Sequence, residues 1–345
     1  MKAVVKTRVG AGNTEIQDRA EPVPAPGEVL VEVKVAGICG SDIHIAKGEF
    51  DDWLRLPVII GHEFSGIVAA LGPGVTDIAL GTPLTAETSY SVCGVCPYCQ
   101  EGNYNICAGR KVLGYHVDGA FTRYVRVPRE RLYPLPASID FSAAALAEPL
   151  ACAVHAVTEQ TGVRAGDLVV VFGPGPVGLL TAQVAKAEGG RVMVVGAPGD
   201  DERLELAHTL GADWAVNVGE TDVPSQVRKL MDGLGADVVF ECSGSEAAAR
   251  MGLEVVRKRG KFTQVGIFGR NVELPFDTVW RKEITIHGSA SQKRSAWLRA
   301  LTLLDAGQVQ TAPLITDTFP ITEWDAAIEK AMRRDGIKVS LVPVD

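Results

Sequence analysis

The chain has 345 residues, of which 46% are hydrophobic and 22% charged, with a net charge of −8 and a pI near 5.4. Its length exceeds what one core usually serves and predicts two domains. The acidic balance, with no run of Lys or Arg, argues against nucleic acid as partner. No uninterrupted apolar stretch is long enough to cross a membrane, and Met1-Lys-Ala-Val-Val-Lys-Thr-Arg lacks the apolar region of a secretion signal, so a cytoplasmic protein is expected.

From Met1 to about Arg131 the sequence predicts short strands separated by Gly and Pro. Val29–Val35, Ile67–Leu71 and Ala120–Val127 alternate or run apolar, with turns at Pro24-Ala-Pro-Gly27 and Gly72-Pro-Gly74. A β-rich, barrel-like domain follows from that pattern. Ala143–Thr161 then reads as helix, and Leu168–Phe172 as a strand buried on both faces. Helices at Val177–Ala187, Asp201–Leu210 and Ser245–Val256 alternate with strands at Arg191–Val195, Asp237–Glu241 and Lys261–Val265. Such alternation predicts a doubly wound α/β sheet. Beyond Gly288 come helices near Ser295–Ala306 and Ile321–Arg333 and a last strand at Lys338–Pro343.

Cys93-Gly-Val-Cys96-Pro-Tyr-Cys99, closed by Cys107, can supply the four thiolates of one tetrahedral Zn²⁺. Two disulfides are the alternative, and they need an oxidising compartment. A closed site of this kind is structural, so the chemistry belongs elsewhere. Gly173-Pro-Gly175-Pro176-Val177-Gly178 follows an apolar strand and opens a helix, the context of a dinucleotide-binding turn. The second strand of such a unit normally ends in an acid that holds the ribose 2′-hydroxyl. Here it ends at Gly196, followed by Asp200, Asp201 and Arg203. Either Asp can curl back to the ribose or cap the next helix, and both NAD and NADP stay open as cofactors. Gly266, which closes the strand Lys261–Val265, completes the candidate cofactor residues.

Cys39, His62 and Glu148 suggest a second, open metal site with three protein ligands. Each also has a plain reading as buried thiol, satisfied histidine or helix-start acid. Cys152, Cys242, His116, His155, His208 and His287 read as packing or structural residues.

Gly61-His-Glu-Phe-Ser-Gly66, with Gly72 and Val75, resembles the zinc signature of the medium-chain alcohol dehydrogenases. Cys39, the Cys93–Cys107 lobe, Glu148 and the glycine turn fall in that family's order, and the resemblance covers essentially the whole chain. It implies a GroES-like catalytic domain at 1–153, a Rossmann domain at 154–288, and a return to the catalytic domain at 289–345. It also implies two Zn²⁺ per chain, one catalytic and one structural. Cys39 and His62 would hold the catalytic ion, with Glu63 or Glu148 as third ligand and the other carboxylate acting through water. Ser41 and His44 match the family's proton relay.

Glu148 in place of a thiolate is similar to the polyol, sorbitol-type branch. The implied activity is NAD(P)-linked oxidation of a secondary alcohol of a polyol, sugar or cyclitol to a ketone. Ile45 and the stretch Ser289–Arg294 depart from the sorbitol pattern, although Ser291, Gln292, Lys293 and Arg294 can still bind hydroxyls. L-threonine 3-dehydrogenase is the alternative, encouraged by Asp51-Asp-Trp53. A homo-oligomer is expected because the strand near Ile284–His287 is an edge that needs covering, and the resemblance to the Glu148-type branch implies a tetramer over a dimer.

Overall fold

In the computed structural model, which describes residues 1–344, the chain forms two compact units. One comprises Met1–Glu148, Lys293–Trp297 and the segment from Thr311 onward; the other comprises Pro149–Gln292 and Leu298–Gln310. These limits lie at 148/149 and 292/293, against the expected 153/154 and 288/289, and residues 298–310 go with the second unit.

The first unit is built on the strand Glu28–Gly37. Its period-two pattern buries Val29, Val31, Val33 and Val35 while Glu32 and Lys34 stay half-exposed. It pairs antiparallel with Glu63–Leu71, with Tyr124–Pro128 and with Lys338–Val342. Register shifts within the first pairing leave Gly37 opposite Glu63, and on its other side Gly37 faces Ser340. Three strands from distant parts of the sequence therefore meet at one glycine. The core beneath them gathers Val31, Ile60, Phe64, Leu84, Phe121 and Trp324.

The second unit is a six-stranded parallel sheet in the order Trp214–Asn217, Arg191–Gly196, Leu168–Phe172, Ala236–Glu241, Val256–Gln264, Thr285–Gly288. All five residues of Leu168–Phe172 are buried, as a central parallel strand requires. The strand order reverses beside that strand, which is where ligands of such sheets bind.

Several elements differ from expectation. Ala143–Thr161 is not one helix. Phe141–Ala145, capped by Asp140, and Ala147–Val154 precede a wide π-turn at His155–Thr161. The hydroxyls of Thr158 and Thr161 bond the carbonyls of Val154 and Ala156, both at 2.7 Å, and so compete with the helix ladder. Trp214–Asn217 and Val223–Leu230 escaped the sequence pattern because they are too short to show a period. The strand at Lys261–Val265 starts earlier, at Val256, through a register shift.

Candidate functional site

Cys39 ends the strand-to-helix junction as N-cap of Gly40–Ala46, and the Asp42 carboxylate accepts its backbone N–H at 2.9 Å. His62 and Glu63 arrive at the start of Glu63–Leu71. A donor atom of each of Cys39, His62 and Glu63 lies within 4.8 Å of the others. Glu148, buried at the start of its helix, lies outside that cluster but acts on it electrostatically.

Acidic and thiol groups surround His62. Burial alone would push the His62 imidazolium down, yet Cys39, Asp42 and Glu148 outweigh burial and push it up to about 10. His62 Nδ1 sits 3.9 Å from Asp42 Oδ1, too far for a hydrogen bond, and both atoms are buried without one. Asp42 is itself pushed up to about 6, chiefly by burial. A thiol, an imidazole and a carboxylate converging in a buried, electron-rich site are the donor set that Zn²⁺ takes. The residues present fit the metal.

A buried lysine also serves the site, and no sequence pattern pointed to it. Lys338, 2% exposed, forms an ion pair with Glu63, which is 1% exposed. Burial pushes the Lys338 ammonium down, but Glu63, Cys39 and Asp42 together hold it above its ordinary range. A Cβ at Gly37 would lie 2.6 Å from Glu63 Oε2 and 2.8 Å from Lys338 Cε, so a side chain there would displace the pair. Tyr115 is a second residue missed from sequence. Its ring lies 5.8 Å from that of His62. Burial, then Asp42 and Cys39, keep its hydroxyl protonated well above the usual range.

The two relay candidates are also placed. Ser41 Oγ is buried, and its hydroxyl interacts with the Tyr115 side chain. His44 Nδ1 contacts the Glu49 carboxylate, which is exposed, and its ring stacks on Phe50 at 4.7 Å.

The four-cysteine lobe is a separate cluster. Cys93, Cys96, Cys99 and Cys107 lie within 4.8 Å of one another and none forms a disulfide. Backbone N–H groups of Val95 and Cys96 lower Cys93 to about 6, whereas burial and neighbouring thiols raise Cys99 to about 12. Four sulfurs this close ionise together only around a cation. Glu87 anchors the lobe to the sheet, accepting from Tyr104 at 2.9 Å, from Arg131 at 3.2 Å and from Tyr133. The Lys293 ammonium bonds Asn103 at 3.1 Å and the Arg294 N–H bonds Tyr104 at 2.5 Å. Those two members of the Ser289–Arg294 stretch thus engage the lobe.

The glycine turn has the geometry its spacing requires. Gly173 has φ +95°, and a Cβ there would lie 2.7 Å from Ser243 Cβ. A Cβ at Gly175 would meet no atom within 4 Å, leaving backbone open to a pyrophosphate. At Gly178 it would strike the Gly173 carbonyl at 1.9 Å, the close helix–strand approach of a dinucleotide fold. Pro176 and Val177 begin the helix Pro176–Ala187, whose N-terminus favours anions. Gly266 likewise leaves no room for a side chain beside Gly244 N and Glu241 Oε2.

A parallel dinucleotide sheet joined to a unit with two zinc-type donor clusters defines a metal-dependent nicotinamide dehydrogenase. Comparison with known proteins agrees. Residues 25–137 match the alcohol dehydrogenase GroES-like domain and residues 176–306 the zinc-binding dehydrogenase domain. A sorbitol dehydrogenase from Halalkalibacterium halodurans is 46% identical over all of both chains. D-arabitol-phosphate dehydrogenase of Enterococcus avium is 39% identical over 99% of this chain and 97% of its own. L-threonine 3-dehydrogenase of Pyrococcus horikoshii is 37% identical over 92% and 91%. Among solved structures, a zinc-binding dehydrogenase from Sinorhizobium meliloti bound to NADP superposes with TM-score 0.90, at 32% identity over 99% of each chain. The chain belongs to the zinc-binding alcohol dehydrogenase family and is an NAD(P)-linked, zinc-dependent dehydrogenase.

Proposed function

We propose that the protein oxidises a secondary alcohol of a polyol, sugar or cyclitol to the ketone. The observation that carries this reading is the convergence of Cys39, His62 and Glu63, with Glu148 in the same surroundings where a second thiolate would make a different branch. Zinc held there would supply Lewis acidity toward the alcohol oxygen, and a bound nicotinamide would supply the hydride acceptor.

The protein's own residues then have distinct tasks. Cys39 and His62 would hold the metal and Glu63 would be its third ligand, with Lys338 paired to the Glu63 carboxylate. Glu148 acts from further out, through water. Ser41, whose Oγ is buried beside Tyr115, takes the substrate proton, and His44 delivers it towards solvent beside exposed Glu49. Tyr115, held protonated, serves as donor rather than base. In the second unit, Gly173, Gly175, Pro176, Val177, Gly178, Gly196, Asp200, Arg203 and Gly266 form the dinucleotide site. The four cysteines of the lobe hold the structural Zn²⁺.

The threonine reading loses one support. Asp51 receives the Gly10 N–H at 2.5 Å and lies 3.6 Å from the buried Lys6 ammonium, so its carboxylate is engaged in folding the loop. A cytoplasmic homotetramer is also proposed. Reduced cysteines agree with that compartment. The edge strand Thr285–Gly288, with exposed Phe276 and Trp280 close by in sequence, supports self-assembly.

The test is initial rates of nicotinamide reduction by zinc-replete protein with polyols, cyclitols, aldoses, L-threonine and simple alcohols. Turnover of a polyhydroxylated substrate is expected. Turnover of L-threonine alone would overturn the polyol assignment.

A further inference from the structure

The strand Arg191–Gly196 ends where an acid would normally hold the adenosine ribose, yet Gly196 carries no side chain. What fills that place is Asp200. A Cβ built on Gly196 would lie 3.0 Å from Asp200 Cβ and 3.1 Å from Leu204 Cδ1 and Cγ. The loop Ala197–Gly199 turns back on itself, and Asp200 Oδ2 accepts the Ala197 N–H at 2.9 Å. That bond fixes the carboxylate against the strand end instead of leaving it to cap the following helix, where it makes no side-chain bond. Asp201 has a different partner, since its Oδ1 accepts from Asn217 Nδ2 at 2.9 Å. Of the two acids that follow Gly196, only Asp200 folds back to the strand end.

Arg203 is the first basic side chain after Gly196. In an NADP-selective site such a guanidinium faces the 2′-phosphate. Here its Nη1 lies 3.8 Å from Asp200 Oδ1, and both side chains are mostly shielded, at 13% and 16% exposure. The carboxylate therefore neutralises the only nearby cation on this loop and adds its own negative charge.

We infer that Asp200, displaced four residues along the chain from the usual strand-end position, selects NAD(H) over NADP(H). The carboxylate offers its second oxygen as acceptor to a 2′-hydroxyl and repels a 2′-phosphate. Gly196 is part of the same device, because any side chain there would push Asp200 away from the strand end. The inference rests on the glycine turn holding a nicotinamide dinucleotide, and it adds the choice between the two forms. Solved relatives of this fold include one bound to NADP and one complexed with NADH, so the choice must lie in local residues.

The experiment is a fluorescence titration of the purified, zinc-loaded protein with NADH and with NADPH, which reads binding independently of turnover. Wild type should bind NADH at least about tenfold more tightly than NADPH, the effect of one close like charge near the surface. Asp200→Asn keeps an acceptor for the Ala197 N–H but removes the charge. It should narrow the ratio about tenfold, mainly by tightening NADPH. Adding Arg203→Ala to that variant should remove the gained NADPH affinity, because the released guanidinium is what the phosphate meets. Equal wild-type affinities, or an unchanged ratio in Asp200→Asn, would overturn the inference while leaving the dinucleotide site intact. Failure of both cofactors to bind wild type would overturn the dinucleotide reading and this inference with it.

Discussion

Cys93, Cys96, Cys99 and Cys107 come from one loop of the chain, whereas Cys39, His62 and Glu63 come from a helix cap and a strand start, balanced by Lys338 from another strand. The first cluster has an exposed thiol, Cys93, and is tied down by a rim of Tyr104, Arg131 and Glu87. The second is buried, with unpaired polar atoms and a compensating ammonium. The difference teaches what each place can do. Four like ligands close together satisfy a metal and leave no room for reaction. Three unlike ligands in a desolvated setting leave the metal short of partners, which is the condition for binding a substrate.

Three substitutions probe that contrast. His62→Ala should lower kcat/KM by about 10³-fold or more, since several kcal/mol of transition-state stabilisation depend on the open site. Zinc content should fall from two per chain to one while NADH binding survives; rates, metal analysis and cofactor titration together check this. Undiminished turnover would remove the buried cluster from the mechanism.

Lys338→Met should destabilise the fold by about 3 kcal/mol, because it leaves the Glu63 carboxylate buried without its partner. Chemical denaturation measures the loss, and adding Glu63→Gln should recover part of it, as a coupled pair requires. If the two substitutions were additive, the ion pair would carry no energy of its own.

Cys99→Ser should also reduce zinc from two to one, but with the opposite consequence. Stability should fall by about 2 kcal/mol, while kcat/KM at 25 °C stays within about threefold. A collapse of turnover with the buried cluster still loaded would show that the lobe takes part in the chemistry.

The sequence exposed these regions unequally, for a physical reason. The lobe and the glycine turn are local: their ligands or backbone contacts lie within one loop, so spacing alone constrains them. The buried cluster is assembled by strand pairing, and spacing said nothing of its proximity; the family resemblance supplied Cys39, His62, Glu63 and Glu148. Lys338 was invisible because an isolated lysine in a strand ordinarily faces solvent, and only the register around Gly37 turns it inward. Tyr115 was hidden in the same way, on a loop whose route follows no periodic pattern. For Asp200 the residues pointed to a choice between ribose and cap, and a backbone turn too short to show in any pattern decides its position.

The placement of Lys338 has a consequence for the order of assembly. Every donor of the buried cluster is synthesised early, but the ammonium that balances Glu63 lies on Lys338–Val342, the last strand of the sequence. Until Lys338–Val342 pairs with Glu28–Gly37, the cluster holds its carboxylates and thiol without that counter-charge. Charge balance around the ligands is thereby tied to a long-range strand pairing, so fraying of that one strand would unbalance the centre without moving a single ligand.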